Sequence, residues 1–189
     1  MSKITKNSSA DLSIKLVQKI AILGAESSGK SALAEALAAH YKTLWVPEYL
    51  REFVEVQARV PNANEQLLIA RTQVQHEEQA MVDACEWLFC DTTPLMTEIY
   101  SKHYFDEAEP DLVDLSSTHA EQYAFTLVTA PDFPWMPDGL QRESPAVRQM
   151  IHEQLLEILE EREIPHMLIE GSLKDRVQQV EFALSFLTQ

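Results

Sequence analysis

Residues 24–31, GAESSGKS, constrain this chain more than any other stretch. Gly24, Ala25, Glu26, Ser27, Ser28, Gly29, Lys30 and Ser31 fit the pattern G-x-x-x-x-G-K-[ST] in full. The apolar run Ile20, Ala21, Ile22, Leu23 before them reads as a strand, and the following ALAEALAAHY is rich in strong helix formers. A strand, a tight turn and a helix in that order make a phosphate cradle. Successive backbone N–H groups curl around the anion, and the helix N-terminus adds unpaired donors and a favourable dipole. Glycines allow the turn and the close approach of backbone to anion. The chain has only four glycines, and two of them fall on the motif, which argues against a chance Gly/Ser turn. Lys30 is expected to face solvent and to reach the outer phosphates of ATP, with the Ser31 hydroxyl on Mg²⁺.

Beyond the motif, short apolar runs alternate with helical patterns. Leu44–Val46, Trp87–Cys90, AFTLVTA and HMLIEG read as further strands. Helices are expected over residues 31–41, 50–60, 65–85 (capped by Asn64), 95–105, 146–163 and 175–187, with a short helix or loop over 111–122. Trp87–Cys90 show no alternation, as in a strand covered on both faces. The pattern gives an α/β fold, a five-stranded parallel sheet with right-handed crossovers and helices on both faces. Residues 1–17 are expected as a tail and 18–189 as one domain. The proline-rich stretch around 131–148, too interrupted for a regular element, is expected as a lid.

A formal net charge of −15 excludes a non-specific nucleic-acid or anionic-membrane binder, which needs a basic face. No apolar run reaches the length of a membrane span, and residues 1–18 lack the apolar core of a secretory signal. Two cysteines, Cys85 and Cys90, fit a reducing, cytoplasmic setting, with Cys90 as a buried strand residue. Oligomeric state is not encoded in any recognisable way.

Ligands of parallel sheets bind at the carboxyl ends of the strands, so the residues after strands one to four should converge. Strand one delivers the phosphate loop, strand two Glu48 with Arg51 behind it, strand three Asp91 then Thr92 and Thr93, and strand four Asp132. Phosphoryl transfer needs a divalent cation, positive side chains and a carboxylate that orients the attacking hydroxyl. Asp91 is placed to hold Mg²⁺, directly or through water, or else to end its strand as a cap. Glu48 is placed as base or hydroxyl-orienting group, or else as an acid at a helix N-terminus. Arg51 contacts substrate or phosphate, or pairs with Glu52 or Glu55. Arg142 or Arg148 supplies a catalytic guanidinium from the lid, the choice between them open. Trp135 is a stacking wall for an aromatic base or an anchor of the lid.

On these residues the chain resembles bacterial nicotinamide riboside kinases, the P-loop NTPase and nucleoside-kinase-like domain that NadR-type proteins join to an adenylyltransferase and a DNA-binding domain. The matching stretches are GAESSGKS, WVPEYLREFVE, CDTTPLMTEIYSKHYF, VTAPDFPWMPDGLQRE and the late IEG. The phosphate loop alone indicates only a nucleotide; the other patterns are far more specific. The resemblance implies ATP- and Mg²⁺-dependent phosphorylation of nicotinamide riboside at the ribose 5′-hydroxyl, giving NMN in NAD salvage. It implies a substrate role for the segment from Asp132 through Trp135 and Asp138 to Arg142, with Trp135 against the pyridinium ring. The chain is expected to lack the adenylyltransferase and DNA-binding regions, so their activities do not carry over. Two other functions fit the same motifs: a P-loop kinase of another nucleoside, and a nucleotide-gated regulatory module.

Overall fold

The computed structural model describes residues 16–136 and 144–187. Among them five strands form one parallel sheet: β1 (Gln18–Leu23), β2 (Leu44–Val46), β3 (Trp87–Asp91), β4 (Phe125–Thr129) and β5 (His166–Ile169), in the order β2-β3-β1-β4-β5. The helices are α1 (Lys30–Tyr41), α2 (Tyr49–Gln57), α3 (Gln66–Ala80), α4 (Pro94–Phe105), α5 (Pro110–Ser117), α6 (His119–Gln122), α7 (Pro145–Glu161) and α8 (Leu173–Leu184).

Two apolar layers hold the sheet. Ile20 and Ile22 of β1 pack with Leu33 and Leu37 of α1 and Val180 and Leu184 of α8. Ala21 and Leu23, on the opposite face, pack with Leu95 and Ile99 of α4 and Ile151 and Leu155 of α7. Cover on both faces explains why β3 is buried at every residue and shows no polar alternation. Burying each Leu or Ile in these layers contributes about 1.5–3 kcal/mol.

The register positions the site. Ile22 lies opposite Asp91 on β3, and Leu23 opposite Val128 on β4. The exits of β3 and β4 therefore flank the exit of β1 at one edge of the sheet.

Several boundaries differ from the periodicity. α2 stops at Gln57 rather than Val60, because Ala58 turns into the left-handed region at φ 54°. The cap of the next segment is Asn62, not Asn64: Asn62 and Glu65 form a reciprocal capping box around a 3₁₀ turn, Ala63–Glu65, that runs into α3. α3 ends at Ala80, short of Cys85. Its inward face carries Gln73 and Glu77 besides Leu67, Ile69 and Ala70, while Leu68 is exposed. The Glu77 carboxylate and the Gln73 carbonyl are hydrogen-bonded, while Gln73 Nε2 is buried without a partner. Lys19 Nζ donates to Glu77 Oε2 at 3.0 Å, Tyr123 Oη donates to the same oxygen at 2.8 Å, and Gln73 Oε1 accepts from Tyr49 N at 2.8 Å.

Candidate active site

The chain leaves β1 through Gly24, at φ 149°, where a Cβ would overlap Thr129 Oγ1 and sit 2.8 Å from Ser28 Oγ. Ser28 Oγ donates to Ala25 O at 2.7 Å and meets Thr129 Oγ1 at 2.7 Å. The loop thus curls tightly against the end of β4. Gly29, at φ 87°, caps α1, and a Cβ there would come 2.8 Å from the Phe133 ring. Both motif glycines are required by conformation and by space.

Arg176 of α8 supports the loop from beneath. It is fully buried and donates to Ser28 O at 2.6 Å, Ala130 O at 3.1 Å and Gly171 O at 3.0 Å, and it pairs with Asp132 Oδ1. Its guanidinium also lies 4.3 Å from the Phe133 ring centroid. Burial lowers the Arg176 pKa, opposed by the Asp132 charge. One buried side chain therefore ties together the phosphate loop and the exits of β4 and β5. Its sequence signal was its place four residues before Val180 and eight before Leu184, on the inward stripe of an amphipathic helix.

The Lys30 ammonium does not face solvent, contrary to expectation. The residue is 7 % exposed, and Nζ donates to Ala25 O at 3.1 Å. The curl of the loop turns a carbonyl inward, and the ammonium satisfies itself there.

Beside the loop, Ser31 Oγ donates to Asp91 Oδ2 at 2.5 Å, while Asp91 Oδ1 is buried without a partner. Asp91 is wholly inaccessible, and its pKa rises from 3.8 to about 6. Burial is the largest cause and the Glu48 charge the next; Lys30, the Ser31 hydrogen bond and Arg51 act in the opposite direction. Loop, β2 exit and β3 exit therefore share one electrostatic neighbourhood. Glu48 sits at the N-terminus of α2, and its Oε2 accepts from Arg51 Nε at 3.2 Å. Arg51 pairs with Glu48 here, not with Glu52 or Glu55. The Ser31 hydroxyl and a buried carboxylate with an unused oxygen fit a magnesium ion, which takes one or two protein oxygens and keeps waters. Among the described residues no cluster of three or more His, Cys, Asp or Glu could hold a metal.

Glu26 extends this neighbourhood. Tyr100 Oη of α4 donates to Glu26 Oε2 at 2.9 Å and accepts from Glu26 N at 3.2 Å, leaving Glu26 Oε1 buried and unpaired. Burial and the charges of Glu26 and Glu48 push the Tyr100 phenol up. Tyr100 carried no distinguishing local signal.

The stretch after β4 lies on the phosphate loop. Phe133 packs at Gly29, and Met136 N donates to Ser27 Oγ at 3.4 Å. Arg148 Nη1 donates to Phe133 O at 2.8 Å, so this arginine ties α7 to the loop. Asp132, expected at the substrate, instead has both oxygens engaged within the chain: Oδ1 by Arg176 and Oδ2 by Gly171 N at 2.6 Å. It acts as a strut because β4 and β5 end side by side there. Trp135 is half-buried, with its indole N–H enclosed and unpartnered. Asp138 and Arg142 lie outside the described residues.

The trifunctional NAD biosynthesis/regulator protein NadR of Escherichia coli strain K12 is 31 % identical over 164 residues, 82 % of this chain and 38 % of that protein. The chain thus spans well under half the length of this relative. A NadR protein solved in complex with NR superposes with a TM-score of 0.73 at 19 % identity, over 89 % of this chain and 51 % of that one. A NadR protein in complex with NAD and AMP-PNP gives a TM-score of 0.75 at 19 % identity, over 92 % and 50 %. A family model described as an AAA domain matches residues 19–176, from the first strand through the buried arginine under the phosphate loop, and the chain belongs to that family.

Proposed function

We propose that this chain transfers the γ-phosphate of ATP to the ribose 5′-hydroxyl of nicotinamide riboside, yielding NMN and ADP. The observation that carries the reading is the Ser31–Asp91 hydrogen bond beside the phosphate loop, with Glu48 close enough to raise the Asp91 pKa. Similarity to NadR and the NR held by a NadR protein of the same fold support the choice of substrate.

Ser31 and Asp91 would hold Mg²⁺, which when bound neutralises charge on the outer phosphates. The backbone N–H groups of residues 24–31 bind the triphosphate. Lys30 leaves the Ala25 carbonyl for the phosphate oxygens, a charge-assisted contact in place of a neutral one. Glu48 accepts the proton of the 5′-hydroxyl as its oxygen bonds to the γ-phosphorus. The bond from phosphorus to the β,γ-bridging oxygen breaks, and ADP leaves with that electron pair. Arg51 or a lid arginine, Arg148 or Arg142, meets the charge on the transferred group. Trp135 offers its indole face to the pyridinium. Free thiols at Cys85 and Cys90 fit a cytoplasmic setting. None of the described helices is long and apolar enough to cross a membrane.

Purified protein with ATP, Mg²⁺ and a panel of nucleosides tests the reading. Nicotinamide riboside should give the highest kcat/KM and a phosphorylated product. Equal rates with uridine or thymidine would assign another nucleoside; tight ATP binding without any phosphorylated nucleoside would assign a regulatory module.

A further inference from the structure

Six non-glycine residues among those described have positive φ: Ser27, Lys42, Ala58, Thr92, Asp106 and Glu163. Lys42, Ala58 and Asp106 are helix C-caps, and Glu163 directly follows the cap of α7, where left-handed backbone is ordinary. Ser27 belongs to the phosphate loop. Thr92 is the exception. It is β-branched, for which φ of 75° is a costly conformation, and it ends no helix.

Its place is well defined. Thr92 N donates to Ile22 O at 3.0 Å, which wedges the residue between the ends of β3 and β1, directly after Asp91 and next to the start of the phosphate loop. The residue is 8 % exposed, and its hydroxyl is buried without any hydrogen-bond partner. A buried hydroxyl normally finds a partner, and a strained backbone persists only where the surroundings impose it. Glycine would serve the turn without strain, and valine would fill the same space without an unsatisfied oxygen. Threonine here violates two local preferences at one position, beside a carboxylate that also has an unused oxygen. Neither violation benefits the fold.

We infer that the Thr92 hydroxyl is a binding group of the nucleotide site, forming a hydrogen bond to an oxygen of the metal–triphosphate unit, either on a phosphate or on a water in the cation's shell. The inference rests on reading the site as a metal–nucleotide site. A hydroxyl can donate to a phosphate oxygen or accept from a cation-bound water, so both sources present the same chemistry.

The test compares Thr92→Val, which removes the hydroxyl and keeps the shape, with Thr92→Ser, which keeps the hydroxyl. A non-hydrolysable ATP analogue is titrated calorimetrically with Mg²⁺, and again with EDTA in its place. Thr92→Val should bind the analogue about tenfold more weakly than Thr92→Ser with Mg²⁺. Its denaturant midpoint without nucleotide should be no lower than the parent's, which a purely structural hydroxyl would not allow. A gap that persists in EDTA assigns the bond to phosphate; a gap present only with Mg²⁺ assigns it to the cation's water. Equal affinities of the two variants overturn the inference. Should valine prevent folding, Thr92→Gly against Thr92→Ser gives the same comparison, and equal affinities again overturn it. If the parent itself does not bind the analogue, the underlying reading of the site fails instead.

Discussion

Replacing Asp91 by asparagine should stabilise the nucleotide-free protein at neutral pH while abolishing turnover. Burial and the neighbouring Glu48 charge hold the Asp91 carboxyl at about 6 in the folded state, against an ordinary value of 3.8. A folded pKa above the unfolded one means that the native state binds the extra proton. The aspartate is therefore tolerated fully below pH 3.8, and stability is lost as pH rises through 6. From these two values the ionisable group costs about 2 kcal/mol at pH 5 and about 3 kcal/mol at pH 8. Asparagine does not ionise and still accepts from Ser31. The stability of Asp91→Asn minus that of the parent should thus grow by about 1 kcal/mol between pH 5 and pH 8. Urea denaturation followed by tryptophan fluorescence, without nucleotide or divalent cation, measures both curves. Buried His119, held neutral with a pKa near 4, and Glu77, whose pKa burial raises, shape the pH dependence of both proteins alike and cancel in the difference. A difference that is flat with pH, or that shrinks toward pH 8, would refute the claim that this carboxylate is held at a cost for function.

Lys30→Ala should fold with a denaturant midpoint within about 1 kcal/mol of the parent, since a single hydrogen bond to Ala25 is lost. Its turnover should vanish; normal turnover would remove Lys30 from the mechanism. Glu48→Gln should lower kcat by about 10²–10⁴ with little change in nucleotide affinity, and an unchanged kcat in steady-state assays would place the base elsewhere. Lys19→Met leaves Glu77 buried without its cation and should destabilise the protein by about 3–5 kcal/mol, read from the urea midpoint; a loss under 1 kcal/mol would show that the pair is dispensable. Trp135→Ala should raise KM for nicotinamide riboside at least severalfold and leave KM for ATP unchanged; equal effects on both would make Trp135 an anchor of the loop.

The parallel sheet was legible because strands buried on both faces are continuous apolar runs, as in Trp87–Cys90. The phosphate loop was legible because its chemistry needs glycines and a lysine at fixed spacing. The strand-end rule then brought Glu48 and Asp91 to one neighbourhood from positions 43 residues apart in the chain. What periodicity missed were contacts made by single side chains across the fold. Arg176 lies at an inward helical position that composition would fill with an aliphatic residue, and besides nearby Gly171 its partners Ser28 and Ala130 come from two loops remote in sequence. Asp132 was expected at the substrate because it follows a strand end, and the same placement puts it beside Arg176 and Gly171, which engage both its oxygens. Lys30 folds onto its own loop, a conformation set by a carbonyl that no motif records. Thr92 gave no signal because its strain is a backbone property.

The most direct measurement is a crystal structure with a non-hydrolysable ATP analogue, Mg²⁺ and nicotinamide riboside bound together. A Glu48 carboxylate oxygen should lie about 2.6–3.2 Å from the ribose 5′-oxygen, with the metal on Ser31 and Asp91. A ribose seated away from Glu48, or a metal that touches neither Ser31 nor Asp91, would contradict the proposed chemistry.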